Sequence, residues 1–168
     1  MHGEVERVSS QPVQVQEAFE FIAGQGEGAV VLSCEHASRR LPGGWAWPPE
    51  DLRLVESHWA WDPGAADLTR ELAAALMAPA VLSRFTRLLV DPNREENAQD
   101  LFRSDADGGP VWLNREVDGK DRTRRIRDYY RAYHCALDRR MADHRPALLL
   151  SIHSFTPVYQ GVRRRVQL

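Results

Sequence analysis

The chain has 168 residues, a length that suits one domain spanning 1–168 and suffices to bury a core. Apolar residues make up 43% and charged residues 27%, with a formal net charge of -2, so nothing in the balance points to nucleic acid or a membrane surface as partner. The polar start MHGEVERVSSQPVQVQ has no apolar signal core, no run approaches the ~20 apolar residues of a membrane span, and the two cysteines, Cys34 and Cys135, fit a reducing cytoplasm better than a disulfide framework.

Residues 1–12 read as a loose polar lead-in, and Val13 to Ile22 as a short helix ending at Gly24 and Gly26. AVVLSC at 29–34 is apolar, β-branched and short, which predicts a buried strand. A Pro-, Gly- and Trp-rich loop follows at 41–50. GAADLTRELAAALM at 64–77 predicts a helix whose apolar side carries Leu68, Leu72, Leu76 and the alanines, with Asp62-Pro63 as its cap and first turn. PAVLSR at 79–84 and RLLVD at 87–91 read as strands. Residues 92–120 are polar and irregular, a length of loop more often functional or mobile than structural. Ile126, Tyr130, Tyr133, Leu137 and Met141 lie at helical spacing and predict a long helix over 121–144, and ALLLSIH at 147–153 predicts another buried strand. Strands alternating with helices predict an α/β fold, a mostly parallel or mixed sheet flanked by helices.

Ligands of open α/β sheets bind beyond the carboxyl ends of strands. Three of the predicted strands end there in reactive residues: Glu35-His36, Asp91-Pro92-Asn93-Arg94 and His153-Ser154. Neutral imidazoles suit zinc, so His36 and His153 are candidate ligands, with a carboxylate as third and a position left for water. The competing reading makes each a hydrogen-bonded structural histidine. Asp62 is either a helix cap or the third ligand, and Glu35 and His58 compete for that position. Arg94, with Asn93, could clamp a substrate carboxylate through a bidentate pair, or lie free on the surface. Cys34 reads as a buried inert thiol, RTRRIRDYYR as a solvated helix face, and His134 as pointing to the site or simply packing.

SCEHASRRLP, HWAWDPGAADLTRELAAAL, SRFTRLLVDPNRE, RIRDYYRAYH and SIHSFTPVYQG follow one another over residues 29–165. In that order they resemble the N-formylglutamate amidohydrolases, whose fold is similar to that of zinc carboxypeptidases and aspartoacylases, a zinc-exopeptidase-like architecture. The resemblance implies hydrolysis of the N-formyl, or another N-acyl, amide of glutamate or a similar small acidic amino acid. It implies Zn2+ or another divalent metal on His36 and His153, and a carboxylate clamp from Asn93 and Arg94. Arg87 and His134 match positions that touch substrate or support the ligands. In the related enzymes an acid stands near the first histidine, but Arg39 follows His36 at three residues, so that role falls to Asp62.

Members of the family are longer than this chain, and a glutamate beyond the HSFTP segment is expected to act as general base. No residue after His153 is acidic. The resemblance therefore implies a partial domain, incomplete at the C-terminal end of its sheet, with Glu35 the first candidate for the base, poor turnover, and an uncovered sheet that could support a homo-oligomer. Two alternatives stand beside the amidohydrolase: a carboxypeptidase-like deacylase of another substrate, and a non-catalytic protein that keeps the fold and binds an anion or a partner.

Overall fold

A computed structural model describes residues 13–25, 29–159 and 162–163. The polar lead-in at 1–12 and Gly26 fall outside them. The first described residues form an antiparallel hairpin of β1 (Val13–Val15) and β2 (Phe19–Ile22) where a helix was expected. The sequence VQVQEAFEFI alternates with period two through Val13, Val15, Phe19 and Phe21, and that alternation suits a strand. Next come β3 (Val30–Cys34), α1 (Ala65–Leu76) and β4 (Ala80–Ser83), close to their expected bounds. Residues 87–91 are not a strand: Leu89 N–H donates to the Thr86 carbonyl in a turn, and Leu88, Leu89 and Val90 are buried within it.

The polar segment after Asp91 holds a small hairpin, β5 (Asp105–Ala106) with β6 (Gly109–Pro110), and a 3-10 turn at Trp112–Asn114. The expected long helix is continuous but compound. α2 (Gly119–Arg125) passes through a π turn at Ile126–Tyr130 into α3 (Arg131–His144). β7 (Leu148–Ser151) and a terminal pair, β8 (Val158–Tyr159) with β9 (Val162–Arg163), complete the described elements. Among the described residues no helix is long and apolar enough to cross a membrane.

Five strands form one mixed sheet in the order β1-β2-β4-β3-β7. β3 runs parallel to β4 and to β7, while β2 is antiparallel to β4. Successive side chains of a strand point to opposite faces, and the core divides accordingly. Phe21, Val31 and Val81 pack with Tyr133, Ala136 and Leu137 of α3. Ile22, Leu32, Cys34, Ala80 and Leu82 pack with Ala65, Ala66 and Ala73 of α1. The buried stripe of α1 is thus small residues, and Leu68 and Leu76, expected inside, are exposed. β7 is an edge strand and not a buried one: Leu148 is 50% and Leu149 39% exposed.

From β3 the chain crosses by α1 to β4 on one side, then returns by α3 to β7 on the other. The carboxyl end of β3 is therefore a switch point, where departing loops leave a crevice.

Candidate functional site

Glu35 and His36 leave β3 at that switch point. Two backbone contacts bring other residues to them, and a third holds Asp91 in its turn. Ile152 N–H donates to the Ser33 carbonyl (2.8 Å), which draws His153 beside His36. Asp62 N–H donates to the His36 carbonyl (3.0 Å). Asp91 N–H donates to the carbonyl of fully buried Leu101 (3.0 Å). α1 begins at Gly64, whose φ of 81° is the left-handed backbone that glycine adopts at no steric cost. The Asp62 carbonyl, not its side chain, accepts the Ala65 N–H, and no side chain caps the helix. The Asp62 carboxylate is free for other work.

Its work lies between the two histidines. His153 Nδ1 is 2.8 Å and His36 Nδ1 3.5 Å from Asp62 Oδ2, and the imidazole centroids are 5.0 Å apart. Each ring has a second carboxylate at its other nitrogen. His36 Nε2 lies 2.7 Å from Asp91 Oδ1, and His153 Nε2 lies 3.2 Å from Glu35 Oε2. Each ring thus has one carboxylate at Nε2 and turns Nδ1 toward Asp62. Candidate donor atoms of His36, Asp62 and His153 all lie within 4.8 Å of one another. His36 Nδ1 is buried and has no hydrogen-bond partner among the described residues. A buried ring nitrogen aimed at a carboxylate and a second imidazole, without a proton partner of its own, fits a cation among them.

Burial pushes all three carboxyls up, yet hydrogen bonds outweigh it. The adjoining imidazoles of His153 and then His36 hold Asp62 well below the usual carboxylate range. His36, the Arg87 charge and the Asn93 N–H do the same for Asp91. Glu35 is lowered to about 2 by His153, Ser151 and Ser33. The bonds to Asp62 and then Glu35 raise His153 to about 9, against its own burial. Glu35 is fully engaged, since Tyr133 Oη donates to Oε1 (3.1 Å) and Ser151 Oγ to Oε2 (2.6 Å).

A cavity of about 240 Å³ opens beside the cluster. Asp62 lies in its wall with Arg87 and Arg103, and Trp59, Ser154 and Thr156 close it. Arg87 donates Nε and Nη2 to Asp91 Oδ2 (3.1 and 2.7 Å), and its Nη1 is 3.9 Å from Asp62 Oδ1. His58 lines the same cavity, stacked on Trp59 at 4.8 Å, and is not part of the His–Asp–His cluster.

Other candidates lie elsewhere. Arg94 is not in the cavity wall, and its Nε sits 2.8 Å from Asp100 Oδ2. Asn93 is exposed and contributes a backbone N–H to Asp91 Oδ1 (2.9 Å). His134 donates Nε2–H to the Pro92 carbonyl (3.1 Å) and stacks on Tyr130, bracing the loop. Pattern reading placed Asp91 at a strand end without giving it a role, and it passed over Arg103. The one local sign for Asp91 was its place directly after the apolar LLV run. For Arg103 the sign was the apolar anchor Leu101-Phe102 just before it.

The chain matches the family model for N-formylglutamate amidohydrolase over residues 28–167. It is 30% identical to gene product Atu2144 from Agrobacterium tumefaciens, with a TM-score of 0.83 over 90% of this chain and 62% of that one. N-formylglutamate amidohydrolase from Ralstonia eutropha JMP134 is 22% identical, with a TM-score of 0.53 over 77% of this chain and 52% of that one, a likeness of fold. The chain thus spans less than two thirds of either structure's length. No curated protein shows a comparable match. The family match takes in all three parallel strands and both strand ends that carry histidines, and the chain belongs to the N-formylglutamate amidohydrolase family.

Proposed function

We propose that the chain is a metal-dependent amidohydrolase that removes a formyl or other small acyl group from the nitrogen of glutamate or a similar acidic amino acid. The family supplies the substrate class, and the observation that carries the metal is the buried, partnerless His36 Nδ1 facing Asp62 and His153. His36, Asp62 and His153 would hold the ion. Two imidazoles and a carboxylate suit zinc, and three protein ligands leave a position for water or substrate. A zinc ion bound there polarises a carbonyl and eases the ionisation of water. The overall reaction breaks the amide C–N bond, gives the acyl carbon the hydroxyl of water and the nitrogen its remaining proton, and the acid so formed passes its proton to the amine.

The chain's own residues prepare this reaction. Asp91 and Glu35 fix the tautomer and tilt of the two histidines. Arg87 places a cation beside Asp62 in the cavity wall, where it steadies negative charge growing on the substrate oxygen. Glu35 acts as a clamp on His153 and not as the general base. A carboxyl held at about 2 with both oxygens engaged is a weak proton acceptor. The same engagement of Glu35, Asp62 and Asp91 favours a second reading, a fold that binds substrate and metal with slow turnover. An exposed, unpaired Cys135 suits a reducing compartment, and we place the protein in the cytoplasm on that ground.

The test pairs zinc per chain by elemental analysis with formate release from N-formyl-L-glutamate. About one metal per chain and zinc-dependent formate are expected, both lost in His36→Ala. Undiminished turnover after chelation to zero metal would sink the proposal. Metal binding without formate would favour the slow-turnover reading, and an acyl panel separates formyl from other acyl substrates.

A further inference from the structure

We propose that Tyr133 is a positioning residue of the candidate metal centre: it fixes the Glu35 carboxylate, which in turn aims His153 at Asp62. This rests on the reading of His36, Asp62 and His153 as metal ligands. Three elements meet on one carboxylate. Glu35 follows β3 and is buried. Tyr133 of α3 donates its hydroxyl to Oε1 (3.1 Å). Ser151 of β7 donates to Oε2 (2.6 Å), and His153 Nε2 lies 3.2 Å from that same oxygen. With Oε1 held by Tyr133, the plane of the carboxylate is set and Oε2 stays turned toward the imidazole. Tyr130 and His134, on the same stretch of helix, reach backbone carbonyls instead, those of Arg94 and Pro92. Tyr133 reaches a side chain that touches a ligand.

The place of its ring suits Tyr133 to this role. It is fully buried and packed with Phe21, Val31 and Val81, and a close-packed ring has little room to move. A buried phenol needs a partner for its hydroxyl, and Glu35 supplies one. Burial and the Glu35 charge push the phenol well above its ordinary range, so it stays a donor. Ser151 is a weaker post. It lies exposed on the edge strand β7, two residues before His153, and moves with the histidine it would restrain. Tyr133 stands in the core and ties His153 to something that β7 does not carry. The π turn at Ile126–Tyr130 takes up one residue more than an α turn, which rotates α3 by about 100° against α2. The phase of α3 set in this way turns Tyr133 onto Glu35.

Zinc affinity of the full chain is measured by competition with a chromogenic chelator for wild type, Tyr133→Phe, Glu35→Leu, the variant carrying both changes, and Tyr129→Phe, with the melting temperature recorded for each. Tyr133→Phe is expected to weaken zinc about tenfold, the lower end of the range for losing a partner behind a metal ligand. Cobalt(II) bound in place of zinc should show shifted visible absorption in the same variant, a change of ligand geometry that altered stability alone does not cause. Tyr129→Phe, which removes a hydroxyl from the same core, should leave affinity and spectrum unchanged. In the Glu35→Leu chain, Tyr133→Phe should cost nothing further, because effects that pass through one carboxylate do not add. Unchanged zinc affinity in Tyr133→Phe, or losses that add in the doubly changed chain, would overturn the proposal and leave the metal centre standing. A wild type that binds no zinc overturns both. Should Tyr133→Phe not fold, wild type isotope-labelled at tyrosine Cζ decides by NMR. The Tyr133 signal, assigned by replacing the other tyrosines with phenylalanine in turn, should shift when zinc binds, and a signal that stays in place overturns the proposal.

Discussion

His36 and His153 each give one nitrogen to a buried carboxylate and present the other to Asp62. The pairing decides which nitrogen carries a proton, and so which one can take a metal. Asp91→Asn is therefore expected to lower zinc affinity about 10–100-fold, by weakening the hold on His36 while leaving all three ligands in place. Competition with a chromogenic chelator measures this, and an unchanged affinity would reduce Asp91 to a partner of Arg87. The histidines were legible because each follows an apolar run that had to be a buried strand. Asp91 was legible only as a strand end, and its segment is a turn. Its target is 55 positions away, a contact no local pattern encodes. The choice between cap and ligand for Asp62 turned on Gly64, whose left-handed backbone starts α1 without a side-chain cap.

α1 shows why periodicity can name a helix and still misplace its face. Leucines at 68, 72 and 76 mark one stripe, yet only Leu72 packs partly against the core. Ala66, Thr69 and Ala73 meet the sheet instead, because small residues let the helix lie close over β3 and β4. Ala73→Leu should overpack that seam and cost about 1–3 kcal/mol. Leu68→Ala, on the solvent side, should stay within about 0.5 kcal/mol of wild type. Urea unfolding of the two variants checks the assignment, and a larger loss for Leu68→Ala would reverse it. In the long helix the π turn at Ile126–Tyr130 allows Tyr129, Tyr130 and Tyr133 all to be buried, which a strict helical stripe does not permit. It also explains why the arginine-rich stretch is not wholly solvated, since Arg125 is drawn inside to hold the Leu89 and Leu113 carbonyls. Burial lowers the Arg125 pKa, with Asp121 opposing.

Across the molecule, the candidate centre is drawn from positions 36, 62, 91 and 153, which meet only where β3 ends between β4 and β7. The α/β alternation and the strand ends could be read from apolar runs. The strand order could not, because pairing partners are set by long-range packing. The polar stretch at 92–120 looked structureless, but Asn114, Arg125 and the fully buried Asp51, whose carboxylate accepts Trp112 and Leu113 N–H, tie it down. The edge position of β7 has a kinetic corollary. A strand paired on one side, with Leu148 half in solvent, opens locally more readily than the centre of the sheet, and each opening carries His153 away from Asp62. An ion bound there must be released first, so occupancy should deepen amide protection in β7 while β4, at the sheet's centre, exchanges unchanged. Hydrogen–deuterium exchange with zinc and with chelator would show the difference confined to Leu148–His153, making one margin of the sheet a gauge of what its strand ends hold.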